Sequence, residues 1–264
     1  MSEEPHILIS EDGPILIATF NRPDKLNAMS RALLQGLSDA VDHFRDSAHL
    51  KVMLIRSKGR YFSSGADLRE GGGQQPPETA TGVREMHRRL AMRRIWDEME
   101  LIEKPFIVAH HATCVGGSLE MSLSCDFRLA ATSANYAFPE AKFGALPATN
   151  GVSRLTRLVG PHWARLFIMA NMPMTAQEAL NMGLVHKVYP DESFEEEVMA
   201  FCRHVAEQNA EVMGASKIAI ELAADLGAQQ AAAVERMANS SLMLNPSYRE
   251  VLRRHVATVG TPKG

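Results

Sequence analysis

The stretch from Ile15 to Ser57 settles the fold class before any other feature is weighed. Ile15 to Phe20 is a β-rich run, and Asn21-Arg22-Pro23-Asp24 breaks it. From Ser30 the apolar residues Leu33, Leu34, Leu37, Val41 and Phe44 recur at helical spacing, and Lys51 to Ser57 reads as a buried strand. Strand, helix, strand in that order predicts a crossover unit, in which parallel strands lie side by side under a helix. An α/β fold follows, with ligand sites expected at strand ends. His6 to Ser10 adds an earlier strand, joined through the turn residues Glu11-Asp12-Gly13-Pro14.

Further along, Gly71 to Pro77 carries neither period and reads as a flexible loop before a helix from about Thr81 to Glu103. Pro105 to Ala109 and Phe127 to Ala131 are short apolar strands, with a short apolar helix from Gly116 to Ser124 between them. Beyond Pro161 strand signals largely stop. Helical patterns cover Pro161 to Ala170, Thr175 to Met182, and Ser193 onward with interruptions. Thr175-Ala176-Gln177-Glu178 is a capping box, and Gly183 follows as a left-handed cap.

Composition removes several classes. With 264 residues, 45% of them hydrophobic, the chain can bury a full core, which excludes disorder and stapled mini-proteins. A formal charge of −3 argues against a protein whose main task is gripping a polyanion. Cys114, Cys125 and Cys202 are odd in number and form no CxxC pair, so a reducing compartment is the simplest expectation. The acidic start Met1-Ser2-Glu3-Glu4 lacks the blocks of a secretory signal, and no apolar run nears the roughly 18 residues of a membrane span. A cytoplasmic location is expected. No GxxxxGK[ST], GxGxxG, HExxH or GxSxG is present, so nucleotide hydrolysis and zinc chemistry lose their usual warrants. His110 and His111 are adjacent on a strand and point apart, so no metal site is expected.

Three features could carry chemistry. Tyr61-Phe62-Ser63-Ser64-Gly65-Ala66-Asp67-Leu68 puts small residues and a glycine directly after a strand, where a turn can aim N–H groups outward or simply connect. Val115-Gly116-Gly117-Ser118-Leu119-Glu120 opens an apolar helix with two glycines. Helical Cβ atoms tilt toward the amino end, so the Glu120 carboxyl should hang over the turn holding the Gly117 N–H. An acid among Leu119, Met121 and Leu123 needs solvent, a partner or a function. Tyr136-Ala137-Phe138-Pro139-Glu140 is a short aromatic strand ending in a second acid, and the intervening strand and turn permit its return to the same neighbourhood. Two carboxyls in one pocket have their pKa values pushed apart, which suits adding or removing water; an exposed Glu after a proline is the plainer alternative.

Taken together these motifs resemble the enoyl-CoA hydratase/isomerase (crotonase) family. The likeness rests on Asn21-Arg22-Pro23-Asp24-Lys25-Leu26-Asn27-Ala28, Phe62 to Leu68, Val115 to Glu120 through Cys125-Asp126, Phe138-Pro139-Glu140, and Ala176-Gln177-Glu178-Ala179 with Gly183-Leu184-Val185. The resemblance implies a spiral core of ββα units over residues 1–190 and a helical trimerisation region over 191–264. It implies an acyl-CoA substrate, a homotrimer or dimer of trimers, and no cofactor beyond the coenzyme A of the substrate. At the matching positions the backbone N–H groups of Ala66 and Gly117 form an oxyanion hole, and Lys25, Ala28, Ala66, Asp67, Leu68 and Arg69 line the CoA slot with Gly117. Glu120 and Glu140 stand where hydratases of the family carry their two glutamates, so hydration of an enoyl-CoA is the expected reaction, with Glu120 as base and Glu140 as proton donor.

The stretch Leu146-Pro147-Ala148-Thr149-Asn150-Gly151 departs from the more glycine-rich run of the family's hydratases, which implies a changed acyl preference. Rival activities are a Δ3,Δ2-enoyl-CoA isomerase, which needs one base, and an acyl-CoA hydrolase, which would use the same donors. A binding role for RNA is suggested by Arg84, Arg88, Arg89, Arg93 and Arg94 on one helix, against which stand the interleaved Glu85, Asp97, Glu98 and Glu100. Met86, Met92 and Trp96 are candidates to line the acyl pocket, although helical spacing makes core packing the simpler role.

Overall fold

Residues 4–72 and 91–258 are described by the computed structural model. Strands β1 (Ile7–Asp12) and β2 (Ile15–Phe20) form the expected antiparallel hairpin, with Gly13 at φ +58° in the turn. Helix α1 (Arg31–Asp46) starts where Ser30 accepts a hydrogen bond from the Leu33 N–H, and it buries Leu33, Leu37, Val41 and Phe44 against the sheet. Each such side chain removed from water stabilises the fold by roughly 1.5–3 kcal/mol. β3 (Val52–Ser57) then pairs parallel with β2, completing the crossover unit.

From β3 onward the chain steps repeatedly between two sheets. β3, β5 (Phe106–His110) and β7 (Phe127–Ala131) lie in a six-stranded sheet of order β1-β2-β3-β5-β7-β10, with β10 at Lys187–Tyr189. Their successors β4 (Tyr61–Ser63), β6 (Thr113–Val115) and β8 (Asn135–Ala137) lie in a four-stranded sheet closed by β9 (Met174–Thr175). Helices follow: α2 (Leu68–Gly72) after β4, α3 (Ala91–Leu101) before β5, and α4 (Gly117–Ser122) after β6. This repeated strand, strand, helix order is the mixed α/β class expected.

Several details differ from the expectations. Gly71 and Gly72, expected in a loop, belong instead to one helical turn, Leu68 to Gly72, in which Asp67 accepts the Arg69 and Glu70 N–H groups. Most of the loop and the first part of the following helix, including Arg84, Met86, Arg88 and Arg89, lie outside the described residues. The helix expected from Pro161 begins ten residues earlier: α5 spans Gly151–Ala164, broken at Gly160, where φ +76° and ψ 163° leave the helical region just before Pro161. A π-helical turn, Arg165–Met169, continues it. β9 and β10 are short strands that the helical patterning hides. α6 (Ala176–Asn181) carries the capping box as read, and Gly183 has φ +82°.

The chain divides into two compact units, Met1–Glu207 and Gln208–Gly264. The expected change at residue 190 moves to 207, because α7 (Phe194–Ala206) buries Phe194, Val198 and Cys202 in packing on β2, β3 and β7. The second unit consists of α8 (Ala210–Ala223), α9 (Ala228–Leu244) and α10 (Pro246–Thr258), with α9 packed on both neighbours. Ile220, Met237, Leu244 and Val256 are exposed there.

Candidate active site

Strands β4 and β6 are parallel neighbours, and both end in glycine turns. Gly65, after β4, has φ +84°, and a Cβ there would stand 2.8 Å from the Val115 carbonyl oxygen and 3.2 Å from the Gly117 nitrogen. Gly116, after β6, has φ +59° and ψ −134°, a region open only to glycine. The two turns therefore touch backbone to backbone. Ala66 N lies 3.6 Å from where a Gly117 Cβ would be. Gly117 opens α4, so its N–H has no partner inside the helix. Neither it nor the Ala66 N–H donates to any of the described residues. Two free donors side by side make a concavity suited to an oxygen that carries negative charge.

Glu120 sits on the first turn of α4, its N–H bonded to the Gly116 carbonyl, and the residue is only 4% exposed. One carboxyl oxygen, Oε2, accepts the Thr149 N–H at 2.7 Å and the Gly151 N–H at 3.1 Å. Burial raises its pKa, while these bonds and the Arg154 charge oppose the rise. The partner demanded by an acid in an apolar helix is thus the loop Leu146 to Gly151. The departure from the family pattern there lies on the segment that grips Glu120.

Glu140 arrives from the other side. β8 ends at Ala137, and Pro139–Phe143 form a tight 3-10 turn that carries the acid to Gly116. Its Oε1 would be 2.8 Å from a Gly116 Cβ, and its buried Oε2 has no hydrogen-bond partner. Burial, with the Glu120 charge adding to it, pushes its pKa up to about 7; a bond from its own N–H opposes this. The two acids therefore converge on one helix start. Burial raises both acids, with amides and the Arg154 charge opposing it at Glu120 and the Glu120 charge adding to it at Glu140.

The other residues expected to line the CoA slot lie on two segments, 25–28 and 66–69, joined where the Met29 N–H donates to the Gly65 carbonyl at 2.8 Å. Ala66, Leu68 and Arg69 are exposed on the rim, and Lys25 is exposed 3.7 Å from Asp24. Ala28 is half-buried, and its carbonyl accepts from Arg22. Asp67 is differently employed: it pairs with Arg22 at 2.5 Å and accepts the Arg69 N–H at 3.0 Å, and the guanidinium holds its pKa below the usual range. Asp67 is a brace rather than an open contact. Trp96 likewise is wholly buried and donates to Thr149 Oγ1 at 3.2 Å, so it supports the Glu120 loop rather than lining a pocket. Met92 does face the centre, its Cε 3.8 Å from the Gly117 Cβ position, and Met29 Cε stands nearer at 3.0 Å. Arg93 pairs with Asp97 at 3.3 Å, so part of the suggested basic face is laced with acid.

Sequence reasoning missed the frame. Asn27, fully buried at φ +51°, accepts the Arg22 N–H and donates to the carbonyls of Lys58 and Tyr61, fixing the turn beside Ala66. Ser63 Oγ links Asn27 to Gly65. Arg154 carries no signal in the sequence, and Thr149 and Gly151 stand there only in a stretch tied to acyl preference, since nothing local in the sequence says which acid a distant amide will hold. Among the described residues no group of His, Cys, Asp and Glu could hold a metal ion. His110 is buried against Ser122 and Tyr136, which burial keeps neutral with a pKa near about 3.

Known proteins resemble this chain in sequence and in fold. The sequence profile described as enoyl-CoA hydratase/isomerase matches residues 10–258. A 2,3-dehydroadipyl-CoA hydratase of Escherichia coli (strain K12) is 28% identical over 230 residues, covering 87% of each chain. A carnitinyl-CoA dehydratase of Salmonella typhi is 34% identical over 209 residues, covering 79% of this chain and 75% of that protein. The crystal structure of an enoyl-CoA hydratase from Bacillus anthracis superposes with a TM-score of 0.88 at 26% identity, covering 96% of both chains.

Proposed function

Because the chain belongs to the enoyl-CoA hydratase/isomerase (crotonase) family, we propose that it adds water reversibly across the α,β double bond of an enoyl-CoA thioester. The observation that carries the reading is the meeting of Glu120 and Glu140 at Gly116, with differently built surroundings.

In this mechanism the thioester oxygen is received by the N–H groups of Ala66 and Gly117. As the enolate forms, they stabilise charge that the ground state lacks; one such donor is worth about 2.7–4 kcal/mol elsewhere. Glu120, ionised, takes a proton from a water that attacks Cβ. Glu140, protonated, gives its proton to Cα, so the C=C π bond is replaced by C–O and C–H bonds. Glu120 is left protonated and Glu140 ionised. Proton transfer between the two acids, directly or through water, restores the starting state. The labels belong to the pair as much as to either acid.

Lys25, Ala28 and the rim Ala66 to Arg69 would carry the CoA portion, with Asp67 bracing that rim. The exposed apolar side chains of residues 208–264 are consistent with assembly into a trimer or a dimer of trimers. No cofactor is required by this chemistry. No helix among the described residues is long and apolar enough to cross a membrane, which is compatible with a cytoplasmic enzyme.

Assaying water addition with a panel of enoyl-CoA thioesters, starting with crotonyl-CoA, tests the reading. Release of free CoA would identify a hydrolase, and migration of a double bond without hydration an isomerase. Salt-sensitive RNA binding with no turnover of any thioester would overturn the enzyme reading.

A further inference from the structure

Glu120 is held by a loop, and the loop is held by one buried cation. Arg154, on α5, is 9% exposed. Its Nη1 donates to the Thr149 carbonyl at 2.9 Å, in the peptide between the two amides that bind Glu120 Oε2. Its other nitrogens reach α3: Nε and Nη2 grip Glu100 at 2.5 and 2.7 Å, and Nη2 also meets Asp97 at 2.7 Å. Two more bonds tie the same loop to the same helix, Asn150 Nδ2 to Asp97 at 3.2 Å and Trp96 Nε1 to Thr149 Oγ1 at 3.2 Å. Asn150 itself is at φ +67°, in the left-handed region that asparagine adopts more readily than other side-chain-bearing residues.

We propose that Arg154 is a positioning residue for the hydration chemistry, clamping the loop Thr149 to Gly151 between α3 and α5 so that two amides stay aimed at Glu120. This deepens the proposed function and rests on Glu120 being the base. A guanidinium suits the task because its planar fork grips one carboxylate with two bonds while a further edge serves the carbonyl, a fixed geometry that the point charge of an ammonium does not supply. Asp97 and Glu100 in turn keep the buried cation compensated. Among the described residues the charges acting on Glu120 include Arg154, itself paired with Asp97 and Glu100, and Glu140 from the turn after β8; loss of the clamp removes both amide bonds, Arg154→Met also removes the nearby positive charge, and each change favours the protonated acid.

Three variants test this, Arg154→Lys, Arg154→Met and Trp96→Phe. The first readout needs no substrate: infrared titration of the protonated carboxyl band that Glu120→Gln abolishes. In Arg154→Lys and Arg154→Met its midpoint should move to higher pH. The second is the pH profile with crotonyl-CoA or whichever enoyl-CoA is turned over. Arg154→Lys should lose on the order of 10² in kcat with KM little changed, and the acid limb should move up with the infrared midpoint. Trp96→Phe, which drops one hydrogen bond, should lose about 3- to 10-fold. If Arg154→Met does not fold, Arg154→Lys and Trp96→Phe decide. A folded Arg154→Lys enzyme with an unmoved midpoint and acid limb would overturn the clamp. Failure of the underlying reading is distinct: Glu120→Gln would then retain activity while the infrared midpoint still responds to Arg154.

Discussion

Glu120 and Glu140 are the same residue type brought to one helix start, and the protein surrounds them differently. Glu120 is nearly sealed from solvent, yet two amides fix one of its oxygens. Glu140 is less buried, yet one oxygen finds no partner and its pKa rises to about 7. Donors, not depth, decide which acid keeps its charge. Burial pushes both upward; two amides and the Arg154 charge oppose it at Glu120, whereas at Glu140 its own N–H opposes it and the Glu120 charge adds to it.

Removing the better-held acid should break this contrast most completely. Glu120→Gln is expected to lower kcat for enoyl-CoA hydration by about 10² to 10⁴. Glu140→Gln should cost about 10² and also flatten the alkaline side of the pH profile. In the unchanged enzyme that side reports the proton on Glu140: kcat/KM should fall by about tenfold per pH unit above about 7 as the acid ionises. Persistence of the limb in Glu140→Gln would assign it elsewhere. Stability sharpens the same point. The folded pKa of Glu140 lies above the ordinary glutamate value of 4.5, so the native state binds the extra proton. Its stabilising contribution is full below about 4.5 and is lost as pH rises through about 7. Urea midpoints measured across that window should decline less in Glu140→Gln. Smallest for the chemistry is Asn27→Ala, which strips bonds from the frame and leaves both acids in place. It should cost about 1–3 kcal/mol of stability, read by urea unfolding, with little movement of either pH limb.

What could be read in the residues followed how local each cause was. The hairpin, α1 with its Ser30 cap, and the capping box at Thr175 depend on neighbours within a few positions. The convergence of Glu120 and Glu140 was legible only as a possibility, supported by the intervening strand and turn; their common helix start comes from register between β6 and β8. The helix from Gly151 was hidden because its first residues answer to Glu120 and Arg154 rather than to their own period. Trp96 illustrates the limit well. Its helical spacing allowed either pocket or core, and a single indole bond to Thr149 made it a brace.

The brace formed by Asp67 bears on how a charged molecule would reach the site. Along that lip Arg22 is neutralised by Asp67 and Lys25 lies against Asp24, so two of the cations are already met by anions. Such a border casts little long-range field. Capture would then rely on short-range fit rather than on attraction across solvent, and encounter rates would change only gently with ionic strength.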